Sequence, residues 1–184
     1  MIVGIDEVGR GCWAGPLVAG AVLLGRPIAG LKDSKKLTKL QRERLDAEIR
    51  VVAVSYGIGW VTPAEIDELG LTKAVGLAMH RAMEGIVGEY SEVIIDGNYN
   101  YFKELPMARA VIGADNSVAA VSAASIIAKV ARDHYMASIA NTFPGYGFER
   151  HVGYGTAAHI QALKDLGKCE LHRLSFKPIQ LLEA

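Results

Sequence analysis

The chain opens with a short apolar run at residues 2–5, "IVGI", and has another at 17–24, "LVAGAVLL"; both have strand composition. A glycine-rich connection through Pro16 separates them. The next segment, "LKDSKKLTKLQRERLDAEIR", is highly charged, with an apolar stripe at Leu45 and Ile49. That spacing is helical, and Thr38 with Gln41 forms a capping-box pattern at its start. Strand composition returns in "VVAVSYGIGWV", residues 51–61. Thr62, Pro63 and Glu65 mark a second helix start, with proline at the first helical position. Gly70 breaks that run, and Leu71, Ala74, Val75, Ala78, Ala82 and Ile86 predict a further helix over 71–87.

Two short strands follow, "EVIID" (92–96) stopping on Asp96 and "ARAVIGAD" (108–115) stopping on Asp115. Residues 117–140 predict a long alanine-rich helix, apolar almost all round and therefore sandwiched in the core. Its polar positions Ser122, Ser125, Lys129 and Asp133 fall on one stripe. After the loop "FPGYGFERHVGYG", Thr156 is placed to cap a helix that ends at Gly167, and the tail "LHRLSFKPI" has no strong pattern. There is no internal repeat and no low-complexity linker. Hairpin-like strands followed by strand–helix alternation predict an α/β domain with a mixed central sheet.

Composition narrows the function. With 184 residues, about half of them apolar, the chain is long enough for one domain with a substantial core. Its 20 basic and 20 acidic side chains cancel, which excludes attachment to nucleic acid through bulk charge. The local exception lies between Lys32 and Arg44, where six basic and two acidic residues give +4. A solvated helix face is the simpler role for such a run, and Lys39, Arg42 and Arg44 carry no assignment. Cys12 and Cys169 suggest no disulfide framework, and Cys12 reads as a small packing residue. Asp6 and Glu7 interrupt the opening apolar run, so it is not a signal peptide, and no apolar segment approaches the ~20 residues of a membrane span. A soluble cytoplasmic protein is expected.

Carboxylates mark three predicted strand ends: Asp6 with Glu7, Asp96, and Asp115. In open α/β sheets, sites form where strands give way to loops. Acids gathered there repel one another unless a cation lies among them. With no Cys/His cluster beside them, four carboxylates favour hard ions with oxygen ligands, magnesium or manganese. Two such ions ~4 Å apart suit phosphoryl chemistry. Simpler roles fit each residue as well: Asp96 precedes the turn pair Gly97-Asn98, and Asp115 stands where a helix cap would. Asp6 and Glu7 point to opposite faces on a regular strand, so sharing one cavity would require a turn.

Six segments in order, "GIDEVGRGCWAGPLVAGAVLL", "DSKKL", "IIDGN", "AD" followed by "VSAASIIAKVARD", "GYGTAAH" and "HRLSF", resemble bacterial ribonuclease HII, the type 2 ribonucleases H. The resemblance runs from residue 2 to about 177. It implies a ribonuclease H-like α/β fold, a single domain over 1–184 whose residues from roughly 141 form a helical C-terminal extension. The implied activity is endonucleolytic cleavage of RNA in RNA–DNA hybrids, including cleavage 5′ to single ribonucleotides in duplex DNA, leaving 3′-hydroxyl and 5′-phosphate ends. The implied metal-binding acids are Asp6, Glu7, Asp96 and Asp115, the residues already singled out at the strand ends. Two Mn2+ or Mg2+ ions would be held, acidifying water so that no side chain need be the general base.

The resemblance also implies substrate contacts. Gly9-Arg10-Gly11 would read the 2′-hydroxyl with its backbone while Arg10 holds the junction, and Tyr154 would stack on the sugar of the next nucleotide. Lys35, supported by Ser34, is the candidate phosphate contact. Asp133 rivals Asp115 for the fourth acid, but pairing with Lys129 or Arg132 suits it better. His134, His151 and His159 lack metal-ligand spacing and read as surface or packing residues, and His172-Arg173 as structural. The chain departs from many relatives at Gly113-Ala114, where Lys-Gly is frequent, at Gly155 in place of proline, and at Val152 in place of lysine. The expected partner is an RNA–DNA hybrid or a ribonucleotide-containing duplex, met by a monomer. A non-catalytic hybrid-binding module and a phosphoryl-transfer enzyme on a small nucleotide are the rivals; a pure binder has no use for the acids, and the second lacks a Gly-x-x-x-x-Gly-Lys-Ser/Thr loop.

Overall fold

The structure, a computed structural model, describes residues 1–181. Five strands, β1 (Ile2–Val8), β2 (Leu17–Leu24), β3 (Ala53–Val61), β4 (Glu92–Asp96) and β5 (Ala108–Val111), form one sheet in the order β3-β2-β1-β4-β5. The first three are antiparallel neighbours, while β1–β4 and β4–β5 pair in parallel, so the sheet is mixed as predicted.

The first two long connections carry the predicted helices. In α1 (Lys39–Val52) the Thr38–Gln41 capping box is formed, and in α2 (Pro63–Leu69) the Thr62–Glu65 box is formed. Gly70, at φ 77°, redirects the chain into α3 (Leu71–Met83). Two helices, α4 (Ala114–Ser117) and α5 (Ala119–Ile139), follow β5. Short α6 (Phe148–His151) lies inside the expected loop, and Thr156 accepts a hydrogen bond from the His159 amide to cap α7 (Ala157–Leu166). A last turn, α8 (Lys177–Gln180), falls in the tail that has no sequence pattern. From residue 141 to Leu181 the chain alternates these three helices with turns, and residues 182–184 of the expected C-terminal part lie outside the described residues.

Helices cover both faces of the sheet. Val3, Ile5, Leu17, Ala21 and Val93 bury one face against Ala74, Val75, Ala78 and Met79 of α3. The other face meets α5, whose Ala123, Ala124, Ile126 and Ile127 pack with Leu45 and Ile49 of α1. Close approach of α5 depends on glycine: a Cβ on Gly4 would lie 2.1 Å from the Ala120 carbonyl carbon, and one on Gly20 2.4 Å from the Ala124 oxygen. Small α5 residues and strand glycines thus let that helix backbone lie directly on β1 and β2.

Two boundaries differ from expectation in ways that matter. β1 continues through Val8, so Asp6 and Glu7 stand within regular strand and no turn brings them together. β5 ends at Val111; Gly113, at φ 71°, turns the chain into α4, which places Asp115 on a helix rather than at a strand end. The chain remains helical through Val52, so β3 starts two residues later than its composition suggests.

Candidate active site

Strand alternation decides which acids meet. Asp6 shares the α5-facing side of β1 with Gly4, and Asp96 shares the corresponding side of β4 with Ile94, which packs on Ala114 and Val121. β1 and β4 run parallel with Ile5 opposite Ile95, so Asp6 and Asp96 are neighbours on one face at the same end of the sheet. α4 lies over that face and brings in Asp115, whose amide donates to Asp96 Oδ1 at 3.4 Å. One carboxylate oxygen from each of Asp6, Asp96 and Asp115 lies within 4.8 Å of the others. Among the described residues this is the one His/Cys/Asp/Glu group close enough to hold a metal ion.

Glu7 is not in that triad. Its side chain belongs to the opposite face of β1, where it meets Arg10 Nη1 at 3.5 Å. It nevertheless borders two hollows at the strand end. One, of about 180 Å³, is also lined by Asp6, Ser34, Lys35, Ser125, Lys129 and Tyr154. The other, of about 210 Å³, includes Arg10, Asp96, Asn98, Tyr99 and Tyr101.

Electrostatics favours a bound cation. Burial, and then the adjacent charge of Glu7, push the Asp6 carboxyl well above the usual range, with Asp96 adding and a Ser125 hydrogen bond only partly opposing. Burial also raises Glu7, with Arg10 opposing and Asp96 adding. Asp115 is raised by burial and by the charges of Asp96 and Asp33. Among the described residues neither Asp6 nor Asp96 has an ion-pair partner; the nearest cation to the triad is Lys35, whose Nζ lies 3.9 Å from Asp115 Oδ2. Buried like charges with so little compensation suit a divalent ion with oxygen ligands, so the donor set fits magnesium or manganese. Lys35 also supplies a positive charge beside Asp115, which Gly113 and Ala114 do not.

The remaining predicted contacts surround the acids. A 3-10 turn, Ser34–Lys36, holds Ser34 buried with its Oγ 2.9 Å from Ser125 Oγ. Arg42, unassigned from sequence, closes that turn by donating to the Ser34 and Leu37 carbonyls at 3.1 and 2.6 Å. Lys35 is 80 % exposed and free to reach a ligand. Gly9 adopts φ 87°, while a Cβ on Gly11 would meet nothing within 4 Å, so the loop is open on its outer side at Gly11. Tyr154 is 42 % exposed, and the residue before it is tied to the same loop, because the Gly153 carbonyl accepts from the Trp13 and Ala14 amides at 2.8 and 3.2 Å. Asp133 pairs with Lys129 at 2.7 Å, away from the triad, and Arg132 turns inward instead.

Both cysteines are free. His134 is at the surface near Glu43, whereas His151, His159 and His172 are buried together and pack on Phe148. No helix among the described residues is long and apolar enough to cross a membrane. Sequence reasoning read Arg173 as structural and Arg132 only as a possible partner of Asp133; it missed that both are fully buried, because charged residues read as surface until packing is known.

Comparison with known proteins bears on the family and the fold. The family model for Ribonuclease HII matches residues 3–179. The chain is similar to the ribonuclease HII of Halorhodospira halophila, 50 % identical over 98 % of this chain and 94 % of the relative. That of Nitrosococcus oceani is 47 % identical over 100 % of this chain and 92 % of the relative. Among solved structures, the ribonuclease H2 of Pyrococcus horikoshii OT3 superposes with a TM-score of 0.83 at 27 % identity, covering 99 % of this chain and 96 % of the other. The fold is therefore ribonuclease H-like.

Proposed function

The chain belongs to the ribonuclease HII family and is a metal-dependent type 2 ribonuclease H, an endonuclease of RNA–DNA hybrids, and from that premise we propose how its residues divide the work. Asp6, Asp96 and Asp115 hold the metal, with Glu7 completing the ligand set from the edge of the adjoining hollow. The observation that carries this reading is the convergence of three carboxylates within 4.8 Å, Asp6 and Asp115 buried and Asp96 half-buried, beside a glycine loop open to solvent. Magnesium or manganese, two ions during catalysis, would supply Lewis acidity at the phosphate and a more acidic water.

The chain's own groups bind and orient the substrate. The amides of Arg10 and Gly11 make no hydrogen bond within the described residues, so they are available to a ribose 2′-hydroxyl. Arg10, half exposed beside Glu7, holds the phosphate backbone at the junction. Lys35 contacts a phosphate, with Ser34 fixing its turn, and the exposed ring of Tyr154 stacks on the following sugar. Hydrolysis then forms a bond from water oxygen to phosphorus and breaks the bond to the 3′-oxygen of the preceding nucleotide. The cut falls 5′ to the ribonucleotide, leaving a 3′-hydroxyl and a 5′-phosphate. The chain works as one catalytic domain, residues from about 141 being its helical extension, and as a cytoplasmic monomer on hybrids or on duplex DNA containing ribonucleotides.

A duplex DNA with a single ribonucleotide tests this with magnesium or manganese, beside Asp6→Asn. Nicking 5′ to the ribose that disappears in Asp6→Asn supports the reading. Binding without nicking, or cleavage that survives the substitution, overturns it.

A further inference from the structure

Two arginines, Arg132 of α5 and Arg173 of the segment before α8, have no exposed surface, and among the described residues neither forms an ion pair. A buried charge without a carboxylate is costly and persists only where its donors are satisfied. Here each of the three guanidinium nitrogens of both arginines donates to a main-chain carbonyl. Arg173 donates Nε and Nη2 to the Gly15 carbonyl at 3.1 and 2.9 Å, and Nη1 to that of Arg10 at 3.1 Å. Arg132 donates Nε to Pro16, Nη2 to Ala14 and Nη1 to Val152, at 2.9, 3.2 and 2.8 Å.

These acceptors belong to one loop, the connection between β1 and β2 that carries Gly9-Arg10-Gly11, and Val152 lies two residues before Tyr154. The C-terminal segment reinforces the hold: the Arg173 amide donates to the Trp13 carbonyl at 2.9 Å, and the Gly15 amide to the Leu171 carbonyl at 2.8 Å. The loop lies directly on one guanidinium, since a Cβ on Gly9 would come 2.3 Å from Arg132 Nε. Carbonyls drawn inward at residues 10 and 14–16 leave the opposite side of the loop to its amides.

We propose that Arg173, with Arg132, is a positioning residue for ribose recognition: the two guanidiniums clamp the carbonyls of the 10–16 loop so that the Arg10 and Gly11 amides face the substrate. This rests on the ribose-reading role given to that loop above. Neither arginine touches the carboxylate triad, so the clamp acts on substrate alignment and not on metal binding. A long hybrid presents a ribose in every register, and a loosened loop still meets one. A lone ribonucleotide offers a single register, so its cleavage depends more on the clamp.

The test compares wild type with Arg173→Lys, which keeps the charge but loses the planar fork. The kcat and KM are measured on a duplex with one ribonucleotide and on a continuous RNA–DNA hybrid, with the manganese-induced shift in Tm as a third readout. Loss on the single-ribonucleotide duplex at least ten-fold greater than on the hybrid, with the manganese shift retained, is the expected result. Equal activity, or equal loss on both substrates, overturns the proposal. Should Arg173→Lys not fold, Asp67→Asn loosens the same segment from outside, because Asp67 accepts from the Leu174 and Ser175 amides at 2.8 and 2.9 Å; it is expected to give the same bias, and an unbiased result again overturns the clamp. Failure of wild type to cut the single-ribonucleotide duplex is a different result, which removes the ribose-reading role itself.

Discussion

The ammonium of Lys35 lies 3.9 Å from Asp115 Oδ2 and 4.0 Å from Asp33 Oδ1 while its side chain stays 80 % exposed. It is anchored at one end by the turn that Ser34 and Arg42 close, and its charge hovers between the acids and solvent. A cation so placed is worth little to folding because water screens it, but it lies where a phosphate would approach the triad. Lys35→Met is therefore expected to leave Tm within about 1 °C while raising KM several-fold. The slope of log affinity against log salt should fall by ~0.9, the value of one phosphate contact. Kinetics at several salt concentrations measure both; an unchanged slope would remove Lys35 from the interface.

Asp6 is buried with its charge next to Glu7 and Asp96, so the folded protein bears a desolvated and repelled carboxylate. Asp6→Asn keeps the shape and removes the charge. In EDTA the variant is expected to be more stable than wild type by a few degrees, since the repulsion is gone. Its cleavage should fall by at least ~10³-fold, and addition of manganese should no longer raise its Tm as it does that of wild type. Thermal melts with and without manganese check the sign: a variant less stable in EDTA would mean that Asp6 is a structural acceptor.

The sequence made most elements legible because their ends carry local chemistry. The Thr38 and Thr62 boxes and the Thr156 cap act within three or four residues, and each helix begins where its cap predicts. Asp115 was harder: "ARAVIGAD" continues like a strand through Ile112, yet Ile112 is 81 % exposed and the turn at Gly113 depends on how α4 packs over β4. The four acids could be picked out, but not their grouping. Alternation along an unbroken β1 puts Asp6 with Asp96 and leaves Glu7 on the other side, which only the strand's true length reveals. Four-residue α6 and α8 are too short for any periodicity to show. Nothing local distinguishes Arg132 and Arg173 from surface arginines; the partners of Arg132 lie 20, 116 and 118 residues away and those of Arg173 158–163.

The buried imidazoles form an ordered chain. His159 Nδ1 faces the Tyr154 carbonyl at 2.9 Å and must donate, so its Nε2 accepts from His172 Nε2, 3.1 Å away. His172 Nδ1 in turn accepts from the Cys169 amide at 2.9 Å. Both rings are thereby neutral, and burial first of all lowers the pKa of His159 to about 4 and also lowers that of His172. The unfolded chain takes up protons near pH 6.5 that the fold resists, so stability is full above that pH and declines as pH falls toward 4. Melts between pH 7.5 and 5 should show a falling Tm in wild type and a flatter profile in His159→Gln, which lacks the titrating ring. Parallel profiles would mean that other groups cause the acid sensitivity.

Trp13 and Gly155 are matched in shape. A Cβ added to Gly155 would stand 2.2 Å from the indole Cε2 and Cζ2 of Trp13, so the glycine leaves room for the ring. The loop cannot simply retreat: the Trp13 and Ala14 amides both donate to the Gly153 carbonyl, at 2.8 and 3.2 Å. Gly155→Ala is therefore expected to cost about 1–3 kcal/mol through overpacking. It should also weaken cleavage, because Tyr154 is the adjoining residue and Trp13 follows the Gly9-Arg10-Gly11 turn by two positions. Trp13→Leu alone opens a gap and destabilises too, but combined with Gly155→Ala it removes the collision. The double variant should then be more stable than the two single costs sum to, by ~1 kcal/mol or more. A denaturant-unfolding cycle over the four proteins measures that coupling, and simple additivity would show that the alanine is accommodated without touching the ring.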